Sequence, residues 1–300
     1  MTSLAQSFLD KHNLPDSYLE TAKRWFDPLI EHFANQFNPQ LPPRVIGING
    51  CQGSGKSTLA DYLCCMLSEQ LDIPAIALSL DDFYLTKAKR NQLATEVHPL
   101  LATRGVPGTH DVQTAIDCID SLRAGHETLI NRFNKQTDDQ VPTKELQLAT
   151  EPMGIIILEG WCLGAKPIAK LDLAEPINRL EEQEDKKGIW RNYVNQALAG
   201  KYQSLFNRVD ELIMLQAPSF KTVYQWRLEQ EQKMIEQAIQ RGQGRPPQAM
   251  NNQEIQRFIE YFQRITEDVL KQLPERADHL FTLDGSRRIN RYSRPFIRSK

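Results

Sequence analysis

Arg44-Val45-Ile46-Gly47-Ile48-Asn49, running directly into Gly50-Cys51-Gln52-Gly53-Ser54-Gly55-Lys56-Ser57, is the stretch that decides the fold. The aliphatic centre of the first six residues is what a short buried strand requires. The next eight residues meet every position of the pattern GxxxxGK[ST]. After them Leu59, Leu63, Met66, Leu67 and Leu71 recur at helical spacing. Strand, glycine loop, helix is an order with a physical meaning. Glycines permit backbone angles that a Cβ would forbid, so successive N–H groups can turn inward around phosphate oxygens. The helix adds the positive end of its dipole. In such a loop Lys56 reaches the β- and γ-phosphates and the Ser57 hydroxyl ligates magnesium. The candidate nucleotide contacts are therefore Gly50, Gln52, Gly53, Ser54, Gly55, Lys56, Ser57 and Thr58.

Outward from this stretch, apolar runs alternate with longer helical patterns. Candidate buried strands lie at 44–49, 74–80, 154–158, 211–216 and 279–283. Their apolar character is continuous rather than alternating, as expected when helices cover both faces of a sheet. Five such strands separated by helices predict an α/β fold: a doubly wound, mainly parallel five-stranded sheet with helices on both faces. Residues 1–40 read as a helical N-terminal cap, closed by Pro39, Pro42 and Pro43. Residues 41–286 read as the core domain. It includes long amphipathic helices within 220–273, broken at Gly242-Gln243-Gly244-Arg245-Pro246-Pro247. The basic stretch 287–300 reads as a mobile, solvated tail, and the charge run 181–187 as a solvated surface.

The 300 residues suffice for one large α/β domain with helical additions. A formal net charge of −2 gives no general reason to expect a nucleic-acid partner. No apolar run approaches the roughly 20 residues that span a membrane, and Met1 to Asp10 lacks the pattern of a secretory signal. Cys51, Cys64, Cys65, Cys118 and Cys162 show neither metal-ligand nor disulfide-framework spacing. The expectation is reduced thiols and a cytoplasmic location. Oligomeric state is left open.

Ligands of open α/β sheets bind beyond the carboxyl ends of the strands. That places Asn49–Ser57, Asp81–Asp82 and Glu159–Gly160 around one crevice, and each part of a phosphoryl-transfer site has a candidate. Asp81, just after the second strand, is the candidate general base for an acceptor hydroxyl. Asp82 is assigned to magnesium or to local capping. Glu159 ends the run Ile155-Ile156-Ile157-Leu158 and is the candidate carboxylate holding magnesium through water. In the polar loop Arg104 to Asp111, Arg104 and His110 are candidates for an anionic substrate, while Asp111 caps the helix that follows. Lys135, beside Arg132, offers further substrate-facing charge. Arg227, on the first long helix, would offset charge on the transferring phosphoryl group as a lid closes. The expected cofactors are thus a nucleoside triphosphate and Mg²⁺.

The combination of GxxxxGKS, SLDDFYL, RGxPGTHD, a strand ending LEGW and VYQWRLEQE resembles the plant-type D-glycerate 3-kinase family and its fungal kinase-like relatives. These are P-loop kinases related to phosphoribulokinase, uridine kinase and pantothenate kinase. The resemblance runs from about Arg44 to Asp284. It implies ATP on the glycine loop and transfer to the 3-hydroxyl of D-glycerate. It also implies Asp81 as base, Glu159 as the acidic residue of the magnesium strand and Arg227 as a lid arginine. Arg104, His110 and Lys135 would then contact the substrate's carboxylate and hydroxyls. The chain departs from the family pattern at Phe133-Asn134-Lys135, where Tyr-Asp-Lys is usual, and at Asp138-Asp139-Gln140, where Gly-Asp-Arg is usual. It departs again at Ala249-Met250-Asn251-Asn252, where a glycine and an acidic residue are usual. Kinases of another small metabolite (a nucleoside, pantothenate or a sugar phosphate) are the alternative within the class. An NTP-hydrolysing switch is the alternative outside it. The Asp81-Asp82 pair and the absence of an Asn-Lys-x-Asp motif argue against the switch.

Overall fold

The computed structural model describes residues 3–242, 244–246 and 249–295. A six-stranded sheet forms its centre, built from β1 (Arg44–Gly50), β2 (Ala75–Ser79), β3 (Ile155–Gly160), β4 (Glu211–Gln216), β5 (His279–Leu283) and β6 (Ile289–Ser293). The spatial order is β6-β5-β4-β1-β3-β2. Every neighbouring pair is parallel except β5 with β6. Successive strand residues point to opposite faces, and Val45 through Gly50 and Ile155 through Gly160 are all buried. Both faces of the sheet are therefore covered, the doubly wound arrangement that the continuous apolar runs predict.

Register brings the chemistry together. Ser79 and Ile48 both lie opposite Glu159 on β3, and Gly50 lies opposite Leu215 on β4. The chain leaves β1 for β2 and β3 on one side and then crosses to β4 on the other. The carboxyl end of β1 is thus the switch point where a crevice opens.

Three helices precede the sheet: α1 (Ser3–His12), α2 (Ser17–Trp25) and α3 (Asp27–Gln36). Their apolar residues Phe8, Leu9, Ala22, Phe26, Leu29, Ile30 and Phe33 belong to the same continuous core as the sheet. Helix α4 (Lys56–Leu71) follows the glycine loop and packs on β1, β2 and β3. Two long helices, Phe220–Gln240 and Asn252–Gln272, pack against each other. Asn251 begins the second with a reciprocal cap: its side chain accepts from the Gln253 and Glu254 amides, and Glu254 Oε2 accepts from the Asn251 amide at 2.7 Å. This gives the unusual Asn251 a local structural role. None of the described helices is long and apolar enough to cross a membrane.

Three expectations are corrected, and one is the solvated reading of 181–187: Glu181 and Asp185 are buried there and pair with Arg264 and Arg191. The sheet has six strands, not five, and the sixth lies in the stretch read as a mobile tail. Ile289–Ser293 pairs antiparallel with β5, closing a turn at Asp284–Arg288. As an edge strand it exposes most of its side chains and carries no continuous apolar run, which is the signal the sequence lacks. Met1, Thr2, Gln243, Pro247, Gln248 and the tail residues 296–300 lie outside the described residues.

Candidate active site

The glycine loop is shaped by close approaches. Gly53 and Gly55 have φ of +77° and +91°, values that favour glycine. A Cβ on Gly50 would meet Ser54 Oγ at 2.4 Å, and one on Gly53 would meet Trp226 Cβ at 2.9 Å. Gly55 stands at the N-terminus of α4, whose first amides point into the loop. Gln52 Oε1 and Ser54 Oγ are buried and accept no hydrogen bond among the described residues.

Behind the loop, Ser57 Oγ donates to Glu159 Oε1 at 2.7 Å. Glu159 Oε2 is buried without a hydrogen bond among the described residues, and Lys56 Nζ lies 3.6 Å from it. An exposed hydroxyl bonded to a buried carboxylate, whose second oxygen meets only the Lys56 ammonium among the described residues, is an all-oxygen donor pair that suits magnesium. Burial presses the Lys56 ammonium toward neutrality, but Glu159 and Asp81 outweigh it and hold its pKa above the ordinary value.

Asp81 sits in the single 3₁₀ turn Leu80–Phe83 after β2. Its Oδ1 accepts from Tyr84 Oη at 2.7 Å and its Oδ2 from Lys135 Nζ at 2.7 Å. Burial opposes its ionisation, yet Lys135 and Lys56 prevail and hold the carboxyl well below the usual range. It is an ionised acceptor facing the loop lysine. Arg104 pairs with Asp138, which Arg90 also engages at 2.9 Å, and lies 5.5 Å over the Phe133 ring. Arg227 pairs with Glu231 at 2.7 Å and lies 5.3 Å over Phe258.

Lys56, Asp81, Tyr84, Arg104, Lys135 and Arg227 share one cleft of about 340 Å³, whose floor includes Gln52 and Gly53. An adjoining chamber of about 840 Å³ shares Arg104, Lys135 and Arg227 with it. Two expected contacts are placed elsewhere. Asp82 turns away from Ser57 and Glu159: its oxygens accept from Arg132 Nη1 at 2.9 Å and from the Phe133 amide at 3.1 Å. Of its two readings, the geometry leaves local anchoring, because adjacent residues of a tight turn point in different directions. His110 lies outside the cleft lining, stacked on Tyr84 with centroids 4.6 Å apart and with Nδ1 2.6 Å from Tyr202 Oη. Burial pushes its pKa down to about 4. It supports Tyr84, which in turn holds Asp81.

Arg287 opens the stretch whose sequence reads as a solvated tail. It donates from Nε to Gly53 O at 2.9 Å and from Nη1 to Glu229 at 2.7 Å, and lies 5.2 Å over the Trp226 ring. Trp226 Nε1 donates to Gly285 O at 2.7 Å. The first long helix, the glycine loop and the β5–β6 turn are thereby tied together. A basic residue 234 positions from its partner carries no local signal.

No family model matches the chain. In sequence it is similar to the uncharacterized kinase mug58 of Schizosaccharomyces pombe, 28% identical over 273 residues that cover 88% of this chain and 91% of that one. It is 29% identical over 234 residues to the chloroplastic D-glycerate 3-kinase of Arabidopsis thaliana, covering 73% of this chain and 46% of the plant enzyme, so it spans about half that protein's length. Among solved structures, the D-glycerate 3-kinase from Cryptococcus neoformans var. grubii superposes with a TM-score of 0.69 at 24% identity, covering 88% of this chain and 94% of that one. The glycine loop at the switch point of a parallel sheet and the Ser57–Glu159 pair behind it thus stand in a chain whose sequence homologues include kinases, D-glycerate 3-kinase among them, and whose fold is that of its P-loop kinase structural neighbours.

Proposed function

We propose that this protein transfers the γ-phosphoryl group of ATP to the hydroxyl of a small hydroxy acid, with D-glycerate as acceptor and 3-phosphoglycerate as product. The observation that carries the reading is the shared cleft. An ionised carboxylate, Asp81, faces the loop lysine, and two further cations, Arg104 and Lys135, stand on the acceptor side. Sequence likeness to D-glycerate 3-kinase supports the choice of acceptor.

Lys56 and the loop amides hold the β- and γ-phosphates. Ser57 and Glu159 would hold magnesium, which supplies charge neutralisation on the phosphate oxygens when bound. Asp81 accepts the proton of the acceptor hydroxyl as the new O–P bond forms and the bond to the ADP oxygen breaks. The acceptor's carboxylate takes the guanidinium of Arg104, replacing Asp138, and the ammonium of Lys135, replacing Asp81. That exchange frees the base as the substrate arrives. Arg227 on the long helix supplies positive charge over the transferring group.

An acceptor screen with coupled ADP detection tests this, using glycerate, uridine, pantothenate and pentose phosphates with Mg-ATP. D-glycerate is expected to accelerate ADP release over the acceptor-free rate. Acceleration by another compound alone overturns the acceptor, and acceptor-independent hydrolysis overturns the kinase reading. The adjoining 840 Å³ chamber favours a larger metabolite as the second reading.

A further inference from the structure

At the opposite end of the sheet from the glycine loop, three side chains from three elements converge. His32 lies on α3, Glu211 begins β4 and His279 begins β5. Glu211 Oε2 is 2.9 Å from His32 Nε2 and 2.7 Å from His279 Nε2, and the three donor atoms all lie within 4.8 Å of one another. Glu211 and His279 are buried, and His32 is partly open. We propose that this cluster binds a divalent transition metal of the zinc class and thereby staples the N-terminal cap to the sheet. The proposal is independent of the kinase reading.

Two imidazoles and one carboxylate make a borderline-soft donor set that suits zinc rather than magnesium or calcium. Zinc–ligand distances of about 2.0–2.2 Å imply ligand–ligand separations of about 3.3–3.6 Å in a tetrahedral site. The two Glu211–histidine separations, 2.9 and 2.7 Å, reach that range by opening a few tenths of an ångström to just under one, and the two histidine nitrogens already lie within 4.8 Å of each other. The surrounding groups fit the ligand roles. His279 Nδ1 lies 2.9 Å from Tyr292 Oη, so the ring can give its second nitrogen to a partner and its first to a metal, as ligating histidines do. Arg44 Nη2 donates to Glu211 Oε1 at 2.7 Å, which fixes the carboxylate and leaves Oε2 for the ion. His32 and Glu211 line a cavity of about 1450 Å³ together with Gln36 and Arg44, which gives an entry path and room for water as a further ligand.

The test is metal content and thermal stability of the full chain after dialysis against a chelator and then against limiting zinc. One equivalent is expected to bind, with a rise in Tm that saturates at that ratio. His32→Gln and His279→Gln should each lose the equivalent and the Tm rise. Tyr292→Phe should weaken binding by about 10–100-fold. Because His279 is buried, the partly exposed His32→Gln variant decides the matter if His279→Gln does not fold. Cobalt(II) adds a signature: a visible absorption band in the wild type that His32→Gln loses. Absence of stoichiometric zinc in the wild type, or equal zinc in the wild type and His32→Gln, would overturn the proposal. The first result would leave a purely hydrogen-bonded cluster, and the second would place the ion on the cysteines or at Ser57–Glu159.

Discussion

The two halves of the cleft are built in opposite ways. On the donor side the binding groups are backbone amides and glycines within one contiguous stretch, and three buried polar atoms there, Gln52 Oε1, Ser54 Oγ and Glu159 Oε2, make no hydrogen bond among the described residues, the last facing only the Lys56 ammonium. On the acceptor side every cation already has an anion. Lys135 holds Asp81, Arg104 holds Asp138 and Arg227 holds Glu231. A preformed backbone cradle recognises phosphate wherever it occurs. A side-chain network that satisfies itself yields only to a ligand that replaces each pair it breaks. Under the proposed phosphotransfer, the difference makes nucleotide binding generic and acceptor choice an exchange of ion pairs.

Substitutions on the two sides should therefore separate. The largest effect is expected for Asp81→Asn, which removes the proton acceptor and should lower turnover by about 10²–10⁴-fold while the KM for ATP stays near the wild-type value. Near-normal turnover would remove Asp81 from the role of base. Next comes acid stability. His110 has a folded pKa of about 4 against about 6.5 in an unfolded chain. Between those values the unfolded state binds more protons, so stability is full above pH 6.5 and falls toward pH 4, by about 3 kcal/mol if the whole shift is realised. His110→Asn, which keeps a partner for Tyr202, should flatten that slope in urea melts. A slope unchanged by the substitution would assign acid sensitivity to other groups.

A donor-side change of intermediate size is Gly53→Ala. The positive φ and the contact with Trp226 should destabilise the loop by about 1–3 kcal/mol, seen as weaker ATP binding whichever acceptor is present. If only the acceptor KM moved, the division between the halves would be wrong. Arg104→Lys should have the smallest effect. It keeps the charge but loses the planar fork, and should raise the acceptor KM about 10-fold, or about 1.4 kcal/mol, with the ATP KM unchanged. An unaltered acceptor KM would take Arg104 out of carboxylate recognition.

Legibility in the sequence follows the same division. The strands at 44–49 and 211–216 were readable because a strand buried on both faces must be apolar throughout, and observed ends agree within a residue or two. β6 was not, since an edge strand such as Ile289–Ser293 tolerates Asn290, Arg291 and Ser293. The glycine loop was readable because its function lies in local backbone geometry. The base is assigned to Asp81 from the sequence, but Asp82 stays between magnesium and local capping, because the pattern does not show which way each side chain leaves a 3₁₀ turn.

By itself, the sequence determined the parallel sheet, the phosphate loop and the presence of acidic residues at the ends of β2 and β3. Each depends on periodicity or on backbone constraints spanning a few neighbouring residues. Only the tertiary structure decided that Asp81 faces Lys56 while Asp82 anchors Phe133, and that His110 stands behind Tyr84. It alone tied Arg287 to Gly53 and brought His32, Glu211 and His279 together. Those relations join residues from separate elements, where register and packing set the distances and nothing in the spacing along the chain encodes them.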